Sequence, residues 1–234
     1  MSEKTGIQWT DATWNPVTGC TKISPGCANC YAETMATRLR AMGSDRYKNG
    51  FDVRCHDHAL RIPFKWKSAR RVFVNSMSDL FHECVPMDFI YKVWRVMEQN
   101  PRHTFQVLTK RPDRMRDFLW GESGAGADVP ALHNVWLGVS AEDQQRAELR
   151  IPTLLQCPAA VRFVSIEPML GPVDIGMSTA TCDCCDRWSS RWVRLYRPVG
   201  PDLPRLVNAK EDMVADSGAY LAHSNKHGAL SVQT

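Results

Sequence analysis

The chain has 234 residues, of which 44% are apolar and 23% charged, a composition that can bury one substantial core and excludes a disordered protein. Its formal net charge of +4 is small for this length and is weak evidence for a nucleic-acid partner, because strongly basic binding domains concentrate their charge in a patch. Nine cysteines, no signal-peptide pattern in residues 1–10 and no apolar run near about 18 residues predict a reducing, cytoplasmic location without a membrane partner.

The first informative segment carries three cysteines in a loop rich in glycine and proline. Six residues separate Cys20 from Cys27, and two separate Cys27 from Cys30. Three thiolates this close repel one another, so the spacing favours a bound metal over a disulfide in a reducing compartment. Zinc would recruit a fourth protein ligand, whereas an iron-sulfur cube held by three cysteines leaves one iron open. The loop residues suit either metal.

Downstream of this loop, short apolar runs alternate with helical patterns. Helices are predicted where apolar residues recur at helical spacing or follow a proline suited to a first turn: 27–42, 86–97, 112–119 and 142–149. Strands are predicted where short apolar runs are typical of strands buried on both faces: 72–75, 105–108, 135–139 and 162–166. Repeated strand-helix units predict an α/β fold with a parallel sheet, either open or closed into a barrel.

Polar side chains follow these predicted strands directly. They are Asn75, Ser76, Ser78 and Asp79, then Thr109, Lys110 and Arg111, then Ser140, Glu142 and Asp143, and finally Glu167. Ligands of parallel α/β folds gather at the carboxyl ends of the strands, so these residues are candidates for binding at one mouth with the cysteine loop. The alternative is that Asp79, Lys110 and Glu167 form strand-end caps and ion pairs that hold the sheet together.

Five separated blocks, in the right order, resemble the three-Cys-motif family of radical-SAM-like proteins found in phages and bacteria. The blocks are WNPVTGCTKISPGCANCYAE, FVNSMSDLFHE, HTFQVLTKRP, WLGVSAED and FVSIEPMLGP. The resemblance covers residues 7–175 and implies a partial parallel (β/α) barrel of radical-SAM type in residues 1–177. It also implies the cytoplasm of a bacterial host cell if the chain is phage-encoded.

The cofactors follow from this resemblance. It implies a 4Fe-4S cluster on Cys20, Cys27 and Cys30, whose open iron binds S-adenosylmethionine and, with an electron from a reductant protein, releases a 5'-deoxyadenosyl radical that abstracts hydrogen from a substrate. The expected cofactor-binding residues are Tyr31, Ser76, Asp79, Lys110, Glu142 and Glu167. Lys110, or its neighbour Arg111 outside that set, would hold the carboxylate of S-adenosylmethionine, and Glu167 would hold its ribose hydroxyls or amine.

The substrate is less defined than the cofactors. Occurrence of the family in phages favours a nucleic acid or a nucleotide as substrate. A basic group that could face its phosphates consists of Lys110, Arg111, Arg114 and Arg116.

The chain departs from the family after Pro172. Family members continue with a Gly-Gly-Glu-Ser-Gly-like segment and a late aromatic block, and residues 178–234 contain neither. We therefore expect a divergent, loosely structured tail and a barrel that is incomplete at its last units. Whether the chain is an enzyme on its own, or needs a partner protein, stays open.

The alternative function from another class is a non-catalytic zinc-binding phage adaptor that acts with a protein or nucleic-acid partner. Two further clusters bear on metal binding. Cys55, His56, Asp57 and His58 are adjacent and alternate in direction, so we expect surface or loop residues. Cys182, Cys184 and Cys185 are either part of a second metal site or reduced cysteines on a mobile loop.

Overall fold

The computed structural model describes residues 7, 9–121, 129–175, 192–196 and 205–207, with side chains up to residue 175. Most of the predicted tail at 178–234, including Cys182, Cys184 and Cys185, lies outside the described residues. Within the described helices, none is long and apolar enough to cross a membrane.

The main sheet has seven strands within the described residues, named here in the order in which they lie side by side. Its strands are β1 (Ala12–Trp14), β4 (Arg71–Val74), β5 (Thr104–Thr109), β6 (Val135–Ser140), β7 (Val161–Ser165), β8 (Trp192–Tyr196) and β9 (Arg205–Val207). The first five run parallel, with Trp14 beside Val74 and Val107 beside Leu137. Strands β8 and β9 add antiparallel pairs at the β7 side. The predicted α/β class with a parallel sheet is confirmed, and no pairing among the described strands closes that sheet.

Four helices connect the strands: α1 (Tyr31–Ala41), α2 (Met87–Glu98), α3 (Pro112–Leu119) and α4 (Gln144–Gln156). Short 3-10 helices occupy Pro25–Cys27, Asp45–Tyr47, Asp57–Arg61 and Pro63–Lys65, and β2 (Val17–Thr18) pairs antiparallel with β3 (Arg54–Cys55). The helix predicted for 27–42 begins only at Tyr31, because Pro25–Cys27 forms its own turn and Cys30 is extended. Helix α4 runs past its predicted end at residue 149, with Pro152 inside it.

The core lies between the parallel strands and the helices that cross over them. Alternate strand residues such as Val74, Val107 and Leu137 pack against buried helix residues such as Trp94 and Phe118. The opposite face of the sheet carries a smaller cluster of Trp136, Val161 and Phe163, against which Trp9 and Leu108 pack. Burial on both faces explains why the strands are apolar runs without alternation. It also leaves the strand ends as the places where polar groups collect.

Candidate functional site

A cavity of about 830 Å³ lies at the carboxyl ends of the parallel strands. Cys20, Cys27 and Cys30 line it from the loop that joins β2 to α1. Strand-end residues of β4 to β7 complete its polar lining: Asn75, Ser76, Ser78, Asp79, Thr109, Lys110, Arg111, Ser140, Ser165 and Glu167. Apolar residues including Trp9, Phe73 and Leu108 line the remainder. The fold therefore brings together the cysteine loop and four successive strand ends.

The cysteine loop is fixed at its start by backbone contacts on both sides. The Gly19 N–H donates to the Met77 carbonyl at 3.1 Å, and the Cys20 N–H donates to the Phe51 carbonyl at 3.2 Å. Gly19 has a φ of 83°, and a Cβ placed there would lie 2.1 Å from the Asp52 carbonyl oxygen. Only glycine satisfies both the backbone angle and the contact, so this position sets where Cys20 enters the cavity.

The thiols of Cys20 and Cys27 lie in different electrostatic environments. Burial raises the pKa of Cys20 to about 11, Asp79 adds to that shift, and Arg111 opposes it. Burial by itself would raise the pKa of Cys27 as well. Hydrogen bonds from the Ile23–Ser24 segment and the charge of Lys110 outweigh that effect, so the pKa of Cys27 lies below its ordinary value. Cys27 therefore loses its proton more readily than Cys20. This matters for metal binding because the thiolate, and not the thiol, is the metal ligand.

Asp79 was predicted to bind cofactor, and the structure shows it engaged with its own chain. Its carboxylate accepts from the Phe81 N–H at 3.0 Å, the Thr109 hydroxyl at 2.7 Å and the Lys110 N–H at 3.1 Å. It also pairs with Arg111 at 3.2 Å. These contacts join the end of β4 to the end of β5, so the strand-end role accounts for Asp79 although it lines the cavity.

Of the six predicted cofactor-binding residues, Glu142 is absent from the cavity lining, as is the neighbouring strand-end candidate Asp143. It is fully buried behind Gly26, where a Cβ would lie 2.9 Å from the Glu142 Cδ and Cγ atoms. Arg150 donates to its carboxylate at 2.8 Å. Burial by itself would raise the pKa of Glu142. The hydrogen bond from Ser24 and the positive charges of Arg150 and Lys110 outweigh that effect, so the pKa of Glu142 lies below its ordinary value. Glu142 therefore supports the cysteine loop from beneath as a charged group.

The other predicted cofactor-binding residues lie on the cavity wall. Tyr31 is 58% exposed, and its hydroxyl donates to the Met77 sulfur at 3.5 Å. Ser76 donates to the Asn15 Oδ1 atom at 3.2 Å, and Glu167 is half-buried. Lys110 is half-buried, and its ammonium makes no ion pair with any described residue. Among the described lysines and arginines of the lining, Lys110 is thus the one open to an added anion.

The basic group predicted to face phosphates is not assembled. Arg111 is buried in contacts with Asp79, Glu83, Cys20 and Thr21. Arg114 donates to two backbone carbonyls, those of His82 and Val85. Arg116 pairs with Asp113 and Asp117. Three of the four cations are committed to the fold, and only Lys110 lines the cavity with its charge unpaired.

Sequence reasoning missed a polar group beneath the cysteine loop, built from Thr21, His82, Glu83 and Arg111. The His82 Nδ1 atom accepts from the Cys84 N–H at 3.0 Å, so its Nε2–H is the donor to the Thr21 hydroxyl at 2.9 Å. Burial, together with Arg111, lowers the pKa of His82, which keeps the ring neutral near pH 7. The block FVNSMSDLFHE contains His82 and Glu83. Their partners, Thr21 and Arg111, lie about sixty and thirty positions away in the sequence, so the block alone does not reveal these contacts.

The Cys55–His58 cluster was predicted to consist of surface or loop residues, and His56 lies between β3 and the 3-10 helix Asp57–Arg61. His56 is buried, and its Nε2 atom lies 2.8 Å from the Thr18 hydroxyl. Burial and nearby positive charge lower the pKa of His56 to about 4. Among the residues that the structure describes, no three His, Cys, Asp or Glu side chains are arranged to hold a single metal ion.

Comparison with known proteins gives one family match. The model of a family described as protein of unknown function, DUF5131, matches residues 4–195. No curated protein and no solved structure matches the chain.

Proposed function

The chain belongs to the DUF5131 family of proteins of unknown function, and we propose that it is the radical S-adenosylmethionine-type iron-sulfur protein that its sequence resemblance implies. The observation that carries the proposal is the shared cavity, lined by three cysteines of one loop and by polar groups at four strand ends. In this proposal the five parallel strands are part of a radical-SAM-type barrel that is incomplete at its last units.

The donor set fits a cluster better than a single ion. Zinc-sulfur bonds of about 2.3 Å would draw the thiolates of one zinc site close together, and a closed site needs a fourth ligand. Among the described residues, no group of three His, Cys, Asp or Glu side chains is arranged to hold a single ion. Cys20, Cys27 and Cys30 all line the cavity and would each ligate a different iron of a cube, which leaves the fourth iron without a protein ligand.

The remaining lining suits S-adenosylmethionine, which carries a carboxylate, an amine, a ribose and a sulfonium. Lys110 is placed for the carboxylate, because Arg111 is already committed to other partners. Glu167 and Ser76 offer acceptors for the amine or the ribose hydroxyls, and Tyr31 stands beside the third cysteine. The apolar residues Trp9, Phe73 and Leu108 also line the cavity and would make part of its wall unfavourable for water.

When bound, such a cluster supplies one electron to the sulfonium and so generates a 5'-deoxyadenosyl radical for hydrogen abstraction, with a reductant protein as the electron source. The chain itself binds the cofactors and the substrate, orients them and removes water from around them. Nucleic acid or a nucleotide stays the proposed substrate class through the family resemblance alone, because Arg111, Arg114 and Arg116 are used within the fold and Lys110 is assigned to the carboxylate.

The first experiment is anaerobic reconstitution with iron and sulfide, followed by metal analysis. The expected result is a brown protein with broad absorption near about 400 nm and about four irons per chain. Replacing Cys20, Cys27 or Cys30 by Ala should remove most of the iron, whereas Cys55→Ala and Cys84→Ala should retain it. Equal loss from all five variants would refute the ligand assignment, and a colourless protein with about one zinc would favour the adaptor function.

The second experiment addresses activity. The reconstituted chain is reduced without oxygen, and 5'-deoxyadenosine is quantified with S-adenosylmethionine present. The Gly-Gly-Glu-Ser-Gly-like segment and the late aromatic block of the three-Cys-motif family are missing after Pro172. We therefore expect slow turnover by the isolated chain. Turnover that matches a relative possessing those blocks would show that the divergent tail has cost no activity.

A further inference from the structure

We propose that Arg111 is a positioning residue that holds the Cys20 sulfur at the mouth of the cavity and raises the reduction potential of the cluster bound there. This inference rests on the proposed iron-sulfur function. It assigns to Arg111 a role different from the ligand binding that its place at a strand end predicted.

The first argument is that every donor of the Arg111 guanidinium is used. Its Nε–H donates to Glu83 at 2.8 Å, and Nη1 donates to Asp79 at 3.2 Å and to the Cys20 sulfur at 3.6 Å. Its Nη2 donates to the Thr21 hydroxyl at 3.1 Å and to the Thr21 carbonyl at 3.4 Å. A guanidinium has five N–H groups, and all five have an acceptor. No donor remains for a ligand.

The second argument is that these contacts join three parts of the fold. Cys20 and Thr21 belong to the cysteine loop, Asp79 and Glu83 follow β4, and Arg111 follows β5. His82 reaches the same Thr21 hydroxyl from the segment after β4. The loop position of Cys20 is therefore determined by a buried cation whose neighbours are themselves fixed.

The third argument is electrostatic. Arg111 is 6% exposed and Asp79 is equally buried, so their charges are weakly screened. His82 is a neutral donor and adds no positive charge, which leaves Arg111 as the cation in hydrogen-bonding contact with the Cys20 sulfur. A hydrogen bond from a cation to a ligand sulfur disperses negative charge from the cluster and favours its reduced state.

Cys20 and Cys27 differ in the partner that is hydrogen-bonded to the sulfur. The sulfur of Cys27 has the Ser24 hydroxyl at 3.7 Å, a neutral partner, whereas Cys20 has a guanidinium. The electrostatic effect of Arg111 is consequently directed at the iron that Cys20 binds.

Lysine cannot replace arginine here. An ammonium is a single point charge, and it cannot reach Cys20, Thr21, Asp79 and Glu83 together as the planar fork does. Arg111→Lys thus keeps the charge near Asp79 while it removes the contact with the sulfur.

The experiment compares Arg111→Lys with Arg150→Lys in the reconstituted full chain. Arg150 is a matched control because it is also 6% exposed and pairs with a buried carboxylate, that of Glu142, but it has no hydrogen bond to any cysteine that the structure describes. Iron content, the midpoint potential from a spectroscopic redox titration, and the thermal unfolding temperature are measured for wild type and both variants.

Both variants should unfold at lower temperature than wild type. Only Arg111→Lys should lose iron on gel filtration and shift the midpoint potential to more negative values. An unchanged potential in Arg111→Lys, or an equal shift in Arg150→Lys, would overturn the inference. If Arg111→Lys does not fold, the double variant Arg111→Gln with Asp79→Asn removes both buried charges together. Because Asp79 acts on Cys20 in the opposite direction to Arg111, the negative shift expected from the double variant is smaller than that of Arg111→Lys, and a shift to more positive potential would overturn the inference.

This comparison separates the inference from the function on which it rests. A wild-type chain that binds no iron refutes the proposed function itself. A wild-type chain that binds its cluster, with an Arg111→Lys variant of the same potential, refutes only the role of Arg111.

Discussion

Replacing Gly19 by Ala tests how the cysteine loop is positioned. At this residue φ is 83°, and an added Cβ would lie 2.1 Å from the Asp52 carbonyl oxygen and 2.5 Å from that of Phe51. Both obstacles are backbone atoms, so they cannot rotate away. The left-handed backbone costs an alanine about 1–2 kcal/mol. Forcing backbone apart costs about a further 1–3 kcal/mol.

Gly43 provides a matched control. Its φ is 75°, but a Cβ there would have no atom within 4 Å. Gly43→Ala therefore carries the backbone cost without the clash. The gain of about 0.4–1 kcal/mol from the stiffer unfolded chain applies to both variants and cancels in their difference. Gly19→Ala should consequently be less stable than Gly43→Ala by about 1–3 kcal/mol.

The assay is urea unfolding of the two metal-free variants and of wild type, followed by circular dichroism. The iron content after reconstitution is measured in parallel, since displacement of Gly19 also displaces Cys20. We expect the larger loss of stability and the loss of iron to occur together in Gly19→Ala. Equal stability of the two variants, with full iron in both, would refute the close approach of the loop to Phe51 and Asp52.

Two further predictions concern charge. In the metal-free protein at pH 8, iodoacetamide should alkylate Cys27 faster than Cys20, as followed by peptide mass spectrometry, because only the thiolate reacts. The alkylation rate at Cys20 should rise about tenfold per pH unit up to the Cys20 pKa of about 11. The rate at Cys27 should level off at a pH below the ordinary pKa of a cysteine. Parallel pH profiles for the two cysteines would contradict the prediction. Glu142→Gln should cost roughly 3–5 kcal/mol near pH 7, since it leaves Arg150 buried without its counter-charge. Because the pKa of Glu142 is lowered by folding, its stabilisation is present above the ordinary value of 4.5 and is lost as pH falls below it. The difference between wild type and Glu142→Gln in urea unfolding should thus shrink from pH 6 to pH 3, and a constant difference would argue against the ion pair.

Much of the fold follows from local sequence patterns. The apolar runs predicted as strands at 72–75 and 135–139 correspond to Arg71–Val74 and Val135–Ser140. The helix after Pro86 is found at Met87–Glu98. Such runs are readable because burial on both faces requires continuous apolar residues, and helical spacing requires an apolar stripe. Element ends were less accurate, since the start of α1 depends on the turn at Pro25–Cys27.

The location of the candidate site could also be predicted, for a topological reason. Parallel strands place all their carboxyl ends at one edge, so the residues that follow each strand meet whatever their separation in sequence. That rule is sufficient to place Asp79, Lys110 and Glu167 beside the cysteine loop, and all three line the cavity. Their function toward a cofactor stays a prediction.

The sequence by itself thus determined the strand-helix alternation, the three-cysteine loop and the edge of the sheet where polar residues collect. Only the tertiary structure decided which of those polar residues remain open to a ligand. Arg111 and the Cys20 sulfur are 91 positions apart, yet they lie 3.6 Å from each other, and Glu142 is buried by the approach of Gly26. A charged side chain at a strand end is bound or free according to which partners reach it through space, and no local pattern contains that distance. For this reason Lys110 and Arg111, adjacent in sequence and alike in charge, have different roles in the folded chain.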